Sequence, residues 1–256
     1  MTTLVAPAKL TVSLRVSGVR VDGMHELDAE MVTLDLADML EVDETGSGLV
    51  VEAAPGTRGS DLPASSNNLV TRALAACGRT AHVHLTKRIP LGGGLGGGSA
   101  DAGAILRWAG CGDLDLAASI GADVPFCLVG GRARVEGIGE RVAPLEFVER
   151  SYLLLLPPFG VDTAAVFGAW DAGHRDEGAN TLTAAALATE PRLAAWRDAL
   201  GELSGQVPTL AGSGSTWFVE GGPPSAGTEE QPLLKVGTTT GRLLRTRTVP
   251  AGWLGA

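Results

Sequence analysis

A run of glycines dominates the stretch KRIPLGGGLGGGSADAG, residues 87–103, in which six of the seven positions from Gly92 to Gly98 are glycine. Glycine loses more conformational freedom on folding than any other residue, so such a loop is costly to order. The alternation in HVHLTKRIPL before the run predicts a β-strand, and the apolar spacing of SADAGAILRWAG after it predicts an α-helix. Small residues that end at a helix N-terminus present free backbone N–H groups and the positive end of the helix dipole to an anion. The sequence therefore predicts a phosphate-binding loop.

Two common phosphate-binding motifs fit this loop poorly. A G-x-G-x-x-G match exists at Gly92, Gly94 and Gly97, but the strand before it carries Lys, Arg and Pro, and the loop lies far from the start of the chain, unlike the first unit of a dinucleotide-binding domain. A Walker A loop is also excluded, because Gly98 stands where that motif needs a lysine before Ser99. A flexible surface linker is the remaining alternative, and a linker is not expected to end at a capping serine and an apolar-periodic helix.

The composition excludes several classes of partner. A chain of 256 residues with 45% hydrophobic and 19% charged residues is typical of a soluble protein of one large or two modest domains. Its formal charge of −9, with scattered Lys and Arg, offers no basic surface for a nucleic acid or an anionic membrane, so a phosphate ligand needs local donors. No segment predicts a signal peptide or a membrane span, and we expect a cytoplasmic protein that is a monomer or a weak homodimer.

The three cysteines give no sign of a metal or redox site. Cys77, Cys111 and Cys127 lie far apart in sequence and lack C-x-x-C spacing. They are interpreted as small, partly buried, reduced residues.

Strand and helix patterns divide the chain into two parts. The first part is rich in strands, with the glycine loop between a strand and a helix, and SYLLLLPP predicts a buried strand that opens the second part. This organisation predicts an α+β protein with domains at 1–148 and 149–256. The turn-rich stretch 220–232 predicts an exposed loop.

Several stretches in chain order resemble one superfamily. The loop PLGGGLGGGSA is similar to the pattern P-x-x-x-G-L-G-[GS]-[GS]-S-[AS] of the GHMP small-molecule kinases, and APAKLTVSLRVSG, RVDGMHEL, GADVPF with EGIGE, and LAGSGSTWF accompany it. Within that superfamily the stretches are most similar to the family that phosphorylates 4-diphosphocytidyl-2-C-methyl-D-erythritol in the non-mevalonate isoprenoid pathway. The resemblance implies an N-terminal domain like domain 2 of ribosomal protein S5, a ferredoxin-like C-terminal domain, and an active site between them.

The resemblance also implies the catalytic pair. Phosphoryl transfer needs in-line positioning, neutralisation of phosphate charge and removal of the acceptor proton. Asp123, in GADVPF, matches the general base of the family, and Lys9, in PAKLTVSL, matches the lysine that approaches the base and the reacting hydroxyl. Taken singly, the same residues are equally typical of a turn-forming aspartate and an exposed edge-strand lysine.

The nucleotide and its Mg²⁺ are expected at the glycine loop. The resemblance assigns ATP binding to Asn68, Lys87, Pro90, Gly92, Gly93, Gly94, Leu95, Gly96, Gly97, Gly98 and Ser99. Ser99 is also the expected Mg²⁺ ligand, with helix capping alone as the alternative, and Asn68 and Lys87 have the alternative of being ordinary surface residues. Asp101 is left out of this set, because its carboxylate would repel phosphate unless it faces away or reaches the metal.

The acceptor end is expected at RVDGMHEL and TAAVF. His25 has one donor and one acceptor for a pyrimidine edge, and Phe167 has a ring to stack on its face. Met24 and Thr11 also fall at substrate positions, but they depart from the Tyr and Asn that the family favours. These departures leave another GHMP kinase, with a different acceptor alcohol, as an alternative.

Two further alternatives come from other classes. A non-catalytic GHMP-fold nucleotide-binding protein needs the glycine loop, but it needs no general base, and here Lys9, Asp123 and Ser99 occur together. A dinucleotide-dependent oxidoreductase needs the glycines in an early βαβ unit that this sequence lacks.

Overall fold

A computed structural model describes residues 1–54, 67–221 and 233–255 of the chain. The strands assigned within these residues are β1 (Thr2–Val19), β2 (His25–Asp43), β3 (Gly48–Ala53), β4 (His82–Lys87), β5 (Arg132–Gly137), β6 (Arg141–Pro144), β7 (Ser151–Leu156), β8 (Thr209–Leu210), β9 (Trp217–Glu220), β10 (Leu233–Val236) and β11 (Thr239–Arg247). The helices are α1 (Leu69–Ala76), α2 (Gly97–Ala109), α3 (Leu114–Ile120), α4 (Val124–Val129), α5 (Thr163–Asp171), α6 (Thr183–Thr189) and α7 (Leu193–Ser204). The α+β character predicted from the sequence is confirmed.

The first sheet is built around the long strand β2. Strand order is β3-β4-β2-β5-β6, and β1 pairs with β2 in addition. All pairs are antiparallel except β3 with β4, which α1 connects as a parallel crossover. Helix α2 contacts β1, α1 and α4, so the helix that follows the glycine loop is held among several elements of this layer.

The second sheet is antiparallel, in the order β10-β11-β7-β9-β8. The apolar run of β7 is largely buried, as its sequence predicts, and it pairs with β11 on one side and β9 on the other. The chain passes from the first sheet to the second between β6, which ends at Pro144, and β7, which begins at Ser151. The domain limits 1–148 and 149–256 stay a prediction.

The two sheets are tied together by chain that crosses between them. After β11 the chain returns to the first layer, where the Val249 N–H donates to the Thr33 carbonyl. The Leu14 N–H donates to the Ala179 carbonyl, which joins β1 to the segment before α6. These backbone hydrogen bonds connect the layer of the first sheet with that of the second and so fix the groove that lies between the two layers.

The start of α2 differs from the sequence-based expectation. Gly96, not Ser99, is the N-cap, with a left-handed backbone at φ 68°, and no side chain caps the helix. The prediction that Ser99 caps α2 is therefore wrong, because Ser99 is the third residue of the helix. The helix ends at Gly110, whose left-handed backbone with a φ of 73° is typical of a glycine C-cap.

Two of the cysteines lie together, which the sequence did not predict. Cys77 follows α1 and Cys111 follows α2, and their Cα atoms lie 6.4 Å apart. The two residues meet because the packing of α1 against α2 brings the C-terminal ends of these helices together, and the interpretation of the pair as reduced residues stays a prediction. Cys127 is free and buried.

Within the described residues, no helix combines the length and hydropathy that crossing a membrane requires. Most of the exposed loop predicted over 220–232 lies outside those residues.

Candidate active site

A cavity of about 580 Å³ opens between the two layers, against the glycine loop. Most of the residues expected at the site line it, namely Lys9, Thr11, Met24, His25, Pro90, Gly92, Gly93, Gly94, Leu95, Gly96, Gly97, Gly98, Ser99, Asp123 and Phe167. The fold thus brings together segments that are up to 158 positions apart in the chain.

Lys9 and Asp123 form an ion pair at the inner end of this cavity. The Lys9 Nζ lies 3.1 Å from the Asp123 Oδ2 and donates to the Thr11 Oγ1 at 3.0 Å. The Lys9 side chain is 6% exposed, whereas that of Asp123 is 32% exposed, so the carboxylate is the member of the pair that a ligand reaches. The edge-strand alternative for Lys9 does not apply, because this side chain is buried.

A bulge in β1 aims Lys9 at the glycine loop. The register with β2 shifts between Pro7 and Lys9, and the Lys9 N–H donates to the Leu95 carbonyl at 3.0 Å. Asp123 begins α4, and its carboxylate makes no capping bond there. Both groups are therefore held by backbone while their charged atoms stay available to the cavity.

Another stretch of backbone packs so closely on the glycine loop that this contact by itself requires glycine. A Cβ on Gly94, whose φ is 79°, would lie 2.1 Å from the Ala211 carbonyl oxygen, and one on Gly214 would lie 2.2 Å from the Gly94 nitrogen. The segment 211–215, the AGSGS of the second layer, therefore packs directly on the glycine loop. Contact with this backbone is therefore sufficient by itself to exclude a side chain at Gly94.

Asn180, a buried residue that no sequence motif singled out, organises this contact. The Asn180 Nδ2 donates to the Leu210 carbonyl at 2.9 Å and to the Gly212 carbonyl at 2.6 Å. Gly212 in turn faces the Lys9–Asp123 pair, since a Cβ there would lie 3.6 Å from the Lys9 Nζ. Nothing in the local sequence marks Asn180, because its partners are 30 and 32 residues away.

Two expected nucleotide residues lie outside the lining of the cavity. The Asn68 Oδ1 accepts from the Val70 N–H at 3.0 Å and so caps α1. Lys87 is 1% exposed, and its Nζ lies 2.7 Å from the Asp101 Oδ2, behind the loop. Burial excludes the alternative of an ordinary surface residue for Lys87, and its place around the nucleotide stays a prediction.

Ser99 lines the cavity in the first turn of α2. Within the described chain, His, Cys, Asp and Glu form no group of three or more that would hold a metal ion. The protein thus offers a hydroxyl and the Asp123 carboxylate to an ion in this cavity. Mg²⁺ characteristically binds through one or two protein groups together with substrate phosphates, so this donor set suits an ion that arrives with a polyphosphate.

The other end of the cavity is an aromatic subsite. The His25 and Phe167 ring centroids are 4.6 Å apart, and the His25 ring meets Trp170 edge-on at 5.6 Å. The His25 Nε2 lies 2.8 Å from the Asp171 Oδ1, an acid that sequence reasoning missed. A carboxylate only accepts, so Nε2 carries a hydrogen, and in the neutral form of the ring this leaves Nδ1 as an acceptor. Met24, 45% exposed, borders the subsite.

Known proteins resemble this chain in sequence and in fold. Residues 68–131 match a family profile described as the GHMP kinases N terminal domain. The chain is 38% identical over 238 residues to the 4-diphosphocytidyl-2-C-methyl-D-erythritol kinase of Paracoccus denitrificans (strain Pd 1222), and the alignment covers 83% of this chain and 84% of that relative. The chain belongs to the 4-diphosphocytidyl-2-C-methyl-D-erythritol kinase family.

Other members of the 4-diphosphocytidyl-2-C-methyl-D-erythritol kinase family support this membership. The enzyme of Dechloromonas aromatica (strain RCB) is 37% identical, with 83% of this chain and 85% of the relative covered. A crystal structure of 4-(cytidine 5'-diphospho)-2C-methyl-D-erythritol kinase superposes with a TM-score of 0.66 at 32% identity, covering 85% of this chain and 89% of that one. A mevalonate kinase structure, at 11% identity, has a TM-score of 0.55 and covers 97% and 99% of the two chains, which shows a shared fold. The predicted GHMP kinase fold is confirmed.

Proposed function

We propose that this protein transfers the γ-phosphate of ATP to the 2-hydroxyl of 4-diphosphocytidyl-2-C-methyl-D-erythritol. The observation that carries the proposal is the Lys9–Asp123 pair, which faces a cavity that also holds the glycine loop and the aromatic subsite. A phosphate cradle, a proton acceptor and a flat ring site are the three parts that this reaction requires.

Asp123 is the proposed general base. Its Oδ2 pairs with Lys9, and a third of its side chain is exposed to the cavity, so an acceptor hydroxyl has access to it. The buried Lys9 ammonium lies beside this carboxylate and stabilises negative charge at the acceptor oxygen during transfer. The Thr11 hydroxyl accepts a hydrogen bond from the Lys9 ammonium and so holds it in place. A hydroxyl is sufficient for this role, so the Asn that the family favours at this position is not needed.

The glycine loop is the proposed ATP site. Its backbone N–H groups and the N-terminus of α2 face the cavity, where they suit the β- and γ-phosphates. Mg²⁺, when bound with ATP, supplies positive charge to the phosphates, and Ser99 is the residue that would hold it. In this proposal Asn68 supports the ATP site by capping α1, and the buried Lys87 supports the glycine loop from the side opposite the cavity.

The aromatic subsite is the proposed cytosine site. Phe167 offers a ring face for stacking, and His25 Nδ1 offers an acceptor to the exocyclic amine of cytosine. Asp171 fixes the His25 tautomer from the other side of the ring. Met24 takes the place of the Tyr that the family favours and covers the base with a flexible thioether.

Removal of Asp171 is expected to weaken acceptor binding while leaving ATP binding unchanged. In Asp171→Ala the His25 ring loses the partner that sets its tautomer, so the Michaelis constant for the cytidyl substrate should rise by about 5- to 10-fold, for a lost charge-assisted hydrogen bond of about 1–1.5 kcal/mol. Steady-state kinetics measure this constant. Glu177→Ala, an exposed acid beyond the end of α5, is the control and should keep the parent value.

An acceptor panel tests the proposed function. ADP release is measured with ATP and Mg²⁺ in the presence of the cytidyl substrate, mevalonate, homoserine or no acceptor. The proposal requires the cytidyl substrate to give the highest kcat/KM. A higher kcat/KM for another alcohol would assign a different GHMP kinase activity. If no acceptor raises the rate of ADP release above the rate without acceptor, the non-catalytic alternative is favoured.

Met24→Tyr tests the cytosine subsite from the opposite direction. A ring that stacks on the base is expected to tighten binding of the cytidyl substrate by roughly 1 kcal/mol, about fivefold in its dissociation constant, because Tyr restores an aromatic face where Met packs less rigidly. Isothermal titration calorimetry measures the change, with the ATP dissociation constant as an internal control. An unchanged or weaker affinity would show that Met24 does not cover the base.

The cytoplasmic location and the monomeric or weakly dimeric state stay predictions.

A further inference from the structure

The EGIGE turn, residues 136–140, connects β5 to β6 and touches the backbone beside Asp123. The proposed function has given this motif no role. A Cβ on Gly139 would lie 2.1 Å from the carbonyl oxygen of Ala122, the residue before Asp123. Gly139 also has a φ of 112°, a conformation that residues with a side chain rarely adopt. The turn therefore needs glycine at the point where it meets the segment that carries the proposed base.

A carboxylate inside the turn holds its shape. The Glu140 Oε2 accepts from the Ile138 N–H at 2.6 Å, and the Gly139 N–H donates to the Glu136 carbonyl at 3.3 Å. Gly137 leaves room for this carboxylate, since a Cβ there would lie 2.2 Å from the Glu140 Oε1. The backbone of Ile138 is thus fixed by hydrogen bonds on its own side of the turn and by close packing on the other.

Ile138 is the residue of this turn that lines the active-site cavity. It precedes Gly139 by one residue, and Asp123 follows Ala122 by one residue, so the contact between Gly139 and Ala122 brings Ile138 and Asp123 to neighbouring parts of the wall. The Ile138 side chain is half-buried and therefore keeps part of its surface for a ligand. It has no hydrogen-bonding group, so its contribution to binding is one of shape and apolar contact.

The turn also borders the aromatic subsite. Gly137 pairs with Leu27 in the register of β5 with β2, and Leu27 lies two residues after His25. Ile138 follows Gly137 directly. A molecule that reaches from the aromatic subsite to Asp123 therefore passes Ile138.

The proposed acceptor brings an apolar group to this place. Its name puts a methyl group and the reacting hydroxyl on the same carbon, C2, so the acceptor is a tertiary alcohol. A general base must be within hydrogen-bonding reach of the hydroxyl, which places the methyl group close to Asp123 as well. On the β1 side of Asp123 lie the Lys9 ammonium and the Thr11 hydroxyl, which are polar and do not suit a methyl group.

Met31 is the other apolar residue near the ion pair. It pairs with Thr11 across β1 and β2 and lines the cavity, but it is only 3% exposed. Its side chain belongs to the core and offers a ligand little surface. Ile138 is the apolar neighbour of Asp123 that has surface available.

We propose that Ile138 is a specificity-determining residue whose side chain contacts the methyl group on the reacting carbon of the acceptor. The inference rests on the proposed function and adds to it the feature of the acceptor that the site selects, which is a methyl-branched tertiary alcohol. One carbon in an apolar pocket is worth about 10- to 200-fold in kcat/KM, so an acceptor without the methyl group should be a measurably poorer substrate.

The test uses 4-diphosphocytidyl-2-C-methyl-D-erythritol and its analogue with hydrogen in place of the methyl group, at the same C2 configuration. ADP release with saturating ATP and Mg²⁺ gives kcat/KM for each. The parent protein should prefer the methylated acceptor by at least about tenfold, the lower end of the effect of one carbon. In Ile138→Ala this preference should fall below about threefold, because only the methylated acceptor loses a contact, while kcat/KM for the analogue stays near the parent value.

Two further variants accompany this comparison. Ile138→Val shortens the half-buried side chain by one carbon and should give an intermediate preference, and it keeps the test open if Ile138→Ala does not fold. Val207→Ala is the control, because it truncates a branched side chain that is 91% exposed and outside the cavity lining. It should keep the preference of the parent.

The possible results separate this inference from the proposed function. A parent protein that phosphorylates neither acceptor contradicts both. A parent that uses the two acceptors equally well, or Ile138 variants that keep the parent preference, overturns the inference alone. An equal fall in kcat/KM for both acceptors in Ile138→Ala also overturns it, because a side chain that only shields or positions Asp123 acts on the reaction of either alcohol.

Discussion

Asp123→Asn is expected to lower kcat by about 10²–10⁴-fold, the usual contribution of a positioned general base. The amide has nearly the shape of the carboxylate but does not accept a proton at neutral pH. Lys9 keeps its hydrogen bond to Thr11 in the variant, so the local structure should persist. The rate is measured as ADP release at saturating ATP and acceptor.

Binding measurements separate the lost base from a lost site. The Asp123→Asn variant should bind ATP and the cytidyl substrate within a few-fold of the parent protein, because the carboxylate acts on the proton that is transferred and not on the phosphate cradle or the cytosine subsite. The control Asp198→Asn changes an exposed acid of α7 that pairs with its neighbour Arg197, and it should leave kcat unchanged. A kcat within a few-fold of the parent in Asp123→Asn would remove Asp123 from the reaction.

The phosphate loop and its flanking elements were predictable because their signals are local. A strand pattern, a run of glycines and an apolar helix follow one another within the 28 residues from His82 to Ala109. The strand and helix patterns each have a period that backbone geometry fixes. The error at Ser99 has an equally local cause. Gly96 adopts the left-handed conformation that begins α2 without a side-chain cap, and serine preference at caps could not reveal this.

The partners of the site residues were not predictable, because they come from distant parts of the chain. Asp171 meets His25 across 146 residues, and Asp38 meets Lys87 across 49. Each is an ordinary aspartate in its own segment and acquires a role only when the fold brings it into contact. The same holds for Cys77 and Cys111, whose spacing matches no short motif but whose helices pack side by side.

The direction of the Lys87 side chain is a property that the motif did not specify. The resemblance implies a place around the nucleotide, and the residue does lie beside the loop. Its side chain, however, turns away from the cavity, because Asp38 and Asp101 supply two buried acceptors on the other side of the loop. Sequence similarity identifies which residues surround a ligand more readily than it identifies the direction in which they point.

Gly94→Ala is expected to be the most damaging single change in the loop. Gly94 has a φ of 79°, and its new Cβ would lie 2.1 Å from the Ala211 carbonyl oxygen, although contacts below 3.0 Å are essentially never seen for Cβ atoms. The opposing atoms are backbone, so the two segments must separate by nearly the full difference. A misplacement of about 1 Å in a reacting site costs on the order of 10²-fold in rate, and we expect at least that loss in kcat/KM for ATP, together with weaker ATP binding.

Gly205→Ala isolates the clash from the backbone conformation. Gly205 ends α7 with a φ of 69°, and a Cβ there meets no atom within 4 Å. The substitution should cost about 1 kcal/mol of stability, a fall in Tm of about 2–4 °C, with normal ATP kinetics. If Gly94→Ala produced only this modest effect, the close contact between the glycine loop and segment 211–215 would not control the site. A large kinetic loss in Gly94→Ala alone would show that the second layer holds the phosphate loop in its working position.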